Sequence, residues 1–571
     1  MRGNSLLVEA ESFQDYGGWQ LDQQFVDTVG SPYLLAHGLG RPVENASTEV
    51  EFPSRGTYIL WVRTTNWKPG GGHAPGRFRV LINSRPAETT FGTLAGWQWH
   101  HGGAVEISGP SVRIELEDLS GFDGRCDALF FTKDTDFTPT AELNKMKLWR
   151  DSLAGRNGGK PEDEQTFDVV VVGGGIAGCG AALAAEKQGL SVALVHDRPV
   201  LGGNASHEVR VHTEGITGKS DEILSSINTE HWPNGSADSI ADNSKRHAAF
   251  EGKDNISLFL EWRAYAVRTN GGKIESVDAA HTGSGKRQRF YAPVFIDCTG
   301  DGWIGYWAGA DYRYGRESRD EFDEGWQKHG ELWSPETADN RVMGASLLWY
   351  SRDADKPSQF PQVSWAMETA RDHAALEGGW EWEYSSNDMH QVDDAEAIRD
   401  HMLCAIYGSF ANAKKLPENA NMELAWVGYI LGKRESRRLM GDYIYTMSDM
   451  IEGREFTDTV AEETRSVDVH YQNHLTGSKY DFLSTALYKK PPKYYLPFRS
   501  LYSRNIKNLM MAGRCFSCSH IGLGGPRVMH TTGQMGVAVG YAASLCKKYH
   551  TTPRGVYLDH IGELRELIGY E

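Results

Sequence analysis

FDVVVVGGGIAG, residues 167–178, decides the fold. Phe167 to Val172 reads as a short buried strand, because a continuous apolar run bounded by a turn signal suits a strand covered on both faces. It runs into Gly173-x-Gly175-x-x-Gly178 and then an alanine-rich helix over Ala181 to Lys187. Gly173 permits the tight turn, Gly175 lets the backbone approach a pyrophosphate, and Gly178 lets helix and strand pack closely. The helix N-terminus then faces the phosphate charge. A second strand, Ser191 to Val195, ends at His196-Asp197, which places an acid about 20 residues downstream, where a ribose hydroxyl is met. Strand, glycine loop, helix and second strand together read as a dinucleotide site, not as a glycine turn between unrelated elements.

The remaining composition bounds what surrounds that site. A chain of 571 residues is too long for one core, so two or three domains are expected. Hydrophobic content of 40% and charged content of 24% fit a globular protein. A net charge of -17 argues against nucleic acid or an anionic membrane as partner. No apolar run reaches the roughly 18 residues that a membrane span needs. Met1-Arg2-Gly3-Asn4 leads into a strand-like segment without an apolar signal core, so a cytoplasmic chain is expected. A periplasmic or secreted location is the alternative if the N-terminus has been trimmed. The seven cysteines are scattered and make no disulfide framework. Cys515-x-x-Cys518 has redox spacing but lacks a thioredoxin-like context, so it reads as two small apolar fillers. The 17 Trp, 24 Tyr and 21 Phe suit either large cores or stacking against sugars.

The predicted architecture is multidomain. Residues 1–135 read as an all-β sandwich: short alternating runs such as Thr57 to Val62 and Val112 to Leu116 are separated by Gly, Pro and Asn clusters. Residues 136–166 are polar and read as a linker. An α/β Rossmann-like domain begins at Phe167 and extends to 315, including a strand Tyr291 to Asp297. Residues 316–495 change character, are tryptophan-rich (Trp333, Trp349, Trp380, Trp382), and read as an inserted α+β substrate or cap domain. Residues 496–571 return to the dinucleotide domain with a strand Leu509 to Ala512 and a helix from about Gly533.

Val8-Glu9-Ala10-Glu11, Gly56-Thr57-Tyr58, Trp61-Val62-Arg63 and Cys126-Asp127-Ala128-Leu129 resemble a carbohydrate-binding module of the β-sandwich kind found in families 6 and 35. The resemblance covers about a quarter of the chain. It implies a structural Ca2+ held by Glu9, Glu11 and Asp127, whose carboxylates suit a hard cation; plain surface charge is the alternative.

Four separated motifs carry a second resemblance. They are Phe167 to Gly178, Val200 to Arg210 (VLGGNASHEVR), Asp297 to Gly302 (DCTGDG), and Asn508 through Gly513-Arg514 to Gly536. In this order they resemble FAD-dependent oxidoreductases of the glutathione-reductase-like superfamily, and most of all a bacterial group associated with polysaccharide utilisation. The resemblance implies FAD, with Gly173, Gly175 and Gly178 on the pyrophosphate. The ribose falls to His196 or Asp197, beside Arg198: the slot after the second strand normally holds an acid, and here a histidine stands in it. Gly202, Gly203 and Asn204 would pass close to adenosine and flavin, Asp301 and Gly302 near the pyrophosphate, and Gly513 and Arg514 would close the site. Backbone amides at Gln534, Met535 and Gly536 would face the flavin N1/O2 edge through the helix dipole.

Oxidation of an alcohol also needs a base, and histidine titrates near neutrality. The candidates are His520, His207 and His530, in that order, since each follows or flanks a segment expected beside the flavin. Arg210 and Arg527 are candidates for a substrate carboxylate or sulfate, or for ion pairs within the domain. Lys433-Arg434-Glu435-Ser436-Arg437-Arg438 reads as a charged helix that is either a solvated face or an anion site carrying Arg434. His470 lies late enough in the insert to reach the pocket.

The expected function is oxidation of a secondary hydroxyl of a sugar or glycoside, with hydride passing to FAD and on to an acceptor the sequence does not name. Glycoside cleavage through transient oxidation and elimination, a carbohydrate-binding protein with structural FAD, and a small-molecule oxidase unrelated to sugars are the alternatives. Partners expected are a carbohydrate and an electron acceptor, with self-association left open.

Overall fold

A computed structural model describes residues 4–156, 160–324 and 334–571. Trp333, and residues 157–159 of the polar linker run, lie outside the described residues.

The dinucleotide unit is a five-stranded parallel sheet in the order Ile256–Leu260, Val192–His196, Val169–Val172, Val294–Asp297, Leu509–Met511. All four valines of Val169–Val172 are buried. The strand order reverses between Val169–Val172 and Val294–Asp297, and a ligand crevice opens at the carboxyl ends of strands at such a point. Two long helices cover one face, Ile176–Lys187 and Met529–Tyr549. They meet at backbone contact: a Cβ on Gly536 would sit 2.0 Å from the Ala177 carbonyl oxygen. A four-stranded sheet, Asp163–Thr166, Arg287–Tyr291, Lys273–His281 and Trp262–Asn270, lies beside the parallel one.

Residues 5–132 form two antiparallel sheets, of six and four strands, that share a core including Leu34, Leu60, Val80, Ile114 and Leu116. This unit does not hang from a free linker. Helix Leu143–Leu153 packs Trp149 and Leu153 against Trp99 and Phe130, and Asp163–Thr166 joins a sheet of the dinucleotide unit. The sequence reading of 136–166 as a polar linker missed both, because most of their contacts come from chain far away.

The expected calcium set is corrected here. Glu9, Glu11 and Asp127 do come together and are buried. However, Arg150 from the same helix pairs with Glu9 and, at 2.8 Å, with Asp127, while Arg63 reaches Asp127 at 2.6 Å. Two guanidiniums supply the positive charge that a cation would bring. Burial and the neighbouring Glu9 push the Glu11 carboxyl well up.

The insert packs onto the N-terminal unit through one continuous core. Phe25, Tyr33, Trp67 and Phe122 meet Trp365, Met402, Tyr407 and Phe410 of the insert, whose longest helix is Ala395–Ala413. Buried charges stitch the same boundary. Arg399 pairs with Asp22 at 2.6 Å and Arg125 with Glu396 at 2.8 Å. Lys433 to Arg438, expected as a charged helix, is instead extended, with Gly432–Lys433 and Arg438–Leu439 in short strands. Glu435, Arg437 and Arg438 are buried, so their charges are matched inside the protein and not solvated on a helix face. Among the described residues no helix is long and apolar enough to cross a membrane.

Candidate cofactor and substrate cleft

A cleft of about 520 Å³ opens at the reversal point of the parallel sheet. Its floor is the glycine loop. Gly173 has φ +105°, and a Cβ there would lie 2.2 Å from the Cys298 carbonyl oxygen, so only glycine fits. Gly175 faces Gly203 with nothing nearer than 4.0 Å to the position of a Cβ, leaving an open backbone cradle. Gly178 does not line the cleft: its Cβ would sit 1.8 Å from the Gly173 carbonyl oxygen, so its role is packing the helix on the loop.

The first group of polar side chains in the cleft surrounds Asp197. Its carboxylate pairs with Arg263 at 3.1 Å, and Arg263 also pairs with Asp27 from the N-terminal unit. Gln24, Phe25, Asp27 and Thr28 line the same cleft, so the first 135 residues supply one wall of it. Gln24 fixes that loop by donating to the Tyr429 carbonyl at 3.1 Å and accepting from the Leu431 N–H at 2.9 Å. His196 and Asp197, the two residues in the ribose slot, differ in their hydrogen bonding. His196 Nδ1 accepts from the Gly174 N–H at 3.0 Å and Nε2 faces the Val200 carbonyl at 3.1 Å, so both ring nitrogens are used within the protein. Burial lowers its pKa, which keeps the ring neutral in that role. Arg198 is turned to Glu208, at 2.9 Å.

A second group centres on Asp301. Lys433 reaches it at 2.9 Å, Arg514 at 2.9 Å and Ser436 at 2.7 Å. Burial would raise this carboxyl, but Lys433 and Arg514 hold it far below the usual range. Gly202, Gly203, Asn204 and Gly513 line the cleft as expected, whereas Gly302 does not.

The third group comes from an antiparallel hairpin, Val467–Gln472 with Ser484–Lys489. Asp468 and His470 lie two apart on one strand and so share a face; Tyr488 is the direct cross-strand partner of Asp468. All three line the cleft, with Arg465, Arg527, Arg434 and Trp380. His470 Nδ1 lies 2.7 Å from the Glu383 carboxylate, and Nε2 lies 3.1 Å from Asp468 and 3.0 Å from Arg527 Nη2. Glu383 is buried, which would raise its pKa, but Arg434 and His470 hold it down at about 2. Consecutive residues join the groups: Lys433 turns to Asp301, while Arg434 turns to Ser346, at 2.7 Å, and to Glu383, at 3.3 Å.

Several site expectations are corrected. None of His520, His207 and His530 lines the cleft. His520 is 1% exposed, with Nδ1 on buried Glu435 at 2.8 Å and its N–H on Glu317 at 2.8 Å. His207 is held by Asn243. His530 Nδ1 faces the Gly215 carbonyl at 3.0 Å. Arg210 stacks on Trp426 at 4.1 Å and donates to the His207 carbonyl, outside the cleft. Gln534, Met535 and Gly536 lie deeper in the last helix. That helix begins four residues earlier than expected, so Val528, Met529 and Thr532 stand at the cleft. Of the substrate candidates, Arg434, Arg527 and His470 are brought together. His212, Glu214, Arg465 and Tyr488 are cleft residues that the sequence reading does not single out, and Trp380 was legible only as part of the tryptophan-rich insert; the alternation Val211-His212-Thr213-Glu214 was the available signal.

The sheet, glycine loop and cleft define a dinucleotide-binding protein of the doubly wound class. The profile of the FAD dependent oxidoreductase family matches residues 168–568, more than half of the chain, and the chain belongs to that family. A soluble pyridine nucleotide transhydrogenase of Azotobacter vinelandii is 58% identical over 58 residues, 10% of this chain and 12% of the relative. The match thus spans about an eighth of that protein's length. A geranylgeranyl bacteriochlorophyll reductase-like protein from Thermoplasma acidophilum is similar over 71% of this chain and 83% of its own, at 13% identity and a TM-score of 0.32. A family 35 carbohydrate binding module from Clostridium thermocellum is similar over 22% of this chain and 96% of its own, at 20% identity and a TM-score of 0.19.

The residues present fit FAD. The Gly173–Gly175 loop and Gly202–Gly203 form a cradle that side chains would fill, and Asp197 offers a carboxylate to a ribose.

Proposed function

We propose that this oxidoreductase oxidises a secondary hydroxyl of a carbohydrate, with His470 as the base. Bound FAD supplies the two-electron acceptor that takes the hydride. Gly173, Gly175, Gly202, Gly203, Asp197 and Arg514 would hold it.

The observation that carries this reading is the placement of His470. Glu383 fixes the proton on Nδ1, leaving Nε2 as the acceptor in the neutral ring. Arg527 donates to that lone pair. When Nε2 takes a hydroxyl proton, Asp468, at 3.1 Å, becomes the partner of the new N–H. Both N–H groups of the ring then face carboxylates, Nδ1–H toward Glu383 and Nε2–H toward Asp468. The carbohydrate assignment is supported by the polar, hydrogen-bonding lining around Arg434, Asp468 and Arg527, beside the indole of Trp380, 5.1 Å from the His470 ring.

The test is a single anaerobic turnover of holoenzyme with simple glycosides, followed at the visible flavin band, for the wild type and His470→Gln. The reading predicts bleaching by at least one sugar, slowed roughly 10²–10⁴-fold in the variant with FAD retained. Bleaching at an unchanged rate in His470→Gln would overturn the assignment of the base; no bleaching by any sugar would overturn the substrate class.

A further inference from the structure

We infer that the cleft mouth is a multi-ring saccharide subsite for an uncharged oligosaccharide, built by Trp232, Trp380 and Tyr488 and not by the N-terminal unit. This rests on the carbohydrate reading above and extends it.

Exposure singles these side chains out. Among the described residues, Trp232 and Trp380 are the two tryptophans classed as exposed, at 70% and 39%. Both border this cleft. Trp380 lines it directly. Trp232 packs on His212 at 4.4 Å, and His212 lines the cleft. Tyr488, 59% exposed, stands on the His470 hairpin. Solitary exposed aromatics need no explanation, but three gathered around one cleft mark a binding surface. Flat amphipathic rings with little side-chain entropy suit the apolar faces of sugar rings, and polar neighbours take the hydroxyls.

The surface also runs beyond the reaction site. His212, Glu214 and Arg465 belong both to the cleft and to an open groove of about 530 Å³, which continues past Thr229 and Glu230 to Trp232. A single sugar at His470 would leave this groove empty, whereas an oligosaccharide would occupy it.

Charge selects the class of saccharide. Arg434, Arg465 and Arg527 are matched by Glu383, Glu214 and Asp468: Arg465 pairs with Glu214 at 2.5 Å, Arg527 with Asp468 at 3.1 Å, and Arg434 with Glu383 at 3.3 Å. No guanidinium is left over for a uronate or a sulfate, and the chain's net charge of -17 repels polyanions.

Among its described residues the N-terminal unit presents no exposed tryptophan. Trp19, Trp67 and Trp99 are buried, Trp61 is half-buried against His101, and Trp97 donates to Glu396 across the boundary with the insert at 2.9 Å.

The test uses full-length holoenzyme and hexasaccharides of β-1,4-glucose, β-1,4-mannose, β-1,4-xylose, α-1,4-glucose and α-1,4-galacturonate, each beside its monosaccharide. Binding is read by tryptophan fluorescence and equilibrium dialysis, and flavin reduction is read separately. At least one neutral hexasaccharide should bind ten times or more tighter than its monosaccharide. Trp232→Ala and Tyr488→Ala should each weaken it by roughly tenfold with the flavin spectrum intact. No binding by any hexasaccharide, binding of the galacturonate chain alone, or unchanged affinity in both variants overturns the subsite. Simple glycosides that bleach the flavin with no gain from chain length would leave the oxidation standing and sink the subsite. A neutral hexasaccharide lost in Trp232→Ala that never bleaches the flavin would do the reverse.

Discussion

Arg399→Met tests whether the N-terminal unit is part of the cofactor cleft. Arg399 is fully buried and holds Asp22 at 2.6 Å, Asp400 at 3.1 Å and the Tyr33 hydroxyl at 3.0 Å. Asp400 keeps Arg125 as a second partner, but Asp22 retains only the amide groups of Gln24. Burial would raise the Asp22 carboxyl, and Arg399 leads the groups that hold it down. Removing one partner of such a buried pair costs about 3–5 kcal/mol, chiefly because a buried charge is stranded. Asp22→Asn in the same chain removes that charge and should restore more than half of the loss. The assay is urea unfolding followed by tryptophan fluorescence and by release of FAD. Both signals should move together to lower urea, since Asp22 anchors the loop Gln24–Thr28 that lines the cleft. A change below about 0.5 kcal/mol, or FAD release that stays in place while fluorescence shifts, would refute the reasoning.

Further expectations follow from single contacts. Asp27→Asn frees Arg263 from one of its two carboxylates, and FAD affinity measured by fluorescence quenching should fall roughly threefold to tenfold. Gly536→Ala drives a methyl to 2.0 Å from the Ala177 carbonyl oxygen, so the two long helices must separate; thermal unfolding should fall sharply and purified protein should lose its yellow colour. Glu383 is depressed to about 2 from an ordinary value near 4.5. Its contribution, on the order of 3 kcal/mol, is therefore complete above about pH 4.5 and lost as pH falls toward 2. In acid unfolding below pH 4.5, Glu383→Gln should lose stability less steeply than the wild type.

Local signals made much of the fold legible. The valine run, the glycine spacing and the following helix lie in one short stretch, and Gly178 packs on Gly173 within it, so the βαβ unit could be read directly even though Gly173 also abuts distant Cys298. Strands such as Gly56–Thr64 and Ser111–Asp118 show alternation, and so do their burial patterns. Gln98–Ile107 carries no such signal, because His100-His101-Gly102-Gly103 breaks the alternation, although its pairing with Gly56–Thr64 is extensive. The cofactor glycines were legible for the same local reason. The base was not. His520 lies between the last strand and the last helix, the region expected beside the flavin, but Glu435, 85 residues earlier in the chain, holds its ring away from the cleft. His470 reaches the cleft through a hairpin register with Ser484–Lys489 and a carboxylate 87 residues upstream, and neither is written near it in sequence. Arg150 displaced the expected calcium for the same reason: a helix read as linker carries it to Glu9 and Asp127.

The most direct measurement is anaerobic mixing of the purified, FAD-loaded protein with a panel of neutral glycosides, following the flavin band. The account predicts that at least one sugar class bleaches the band, leaving a ketone on the sugar, at a rate that falls sharply in His470→Gln. A flavin that no sugar reduces, or a protein that takes up no FAD at all, would contradict it.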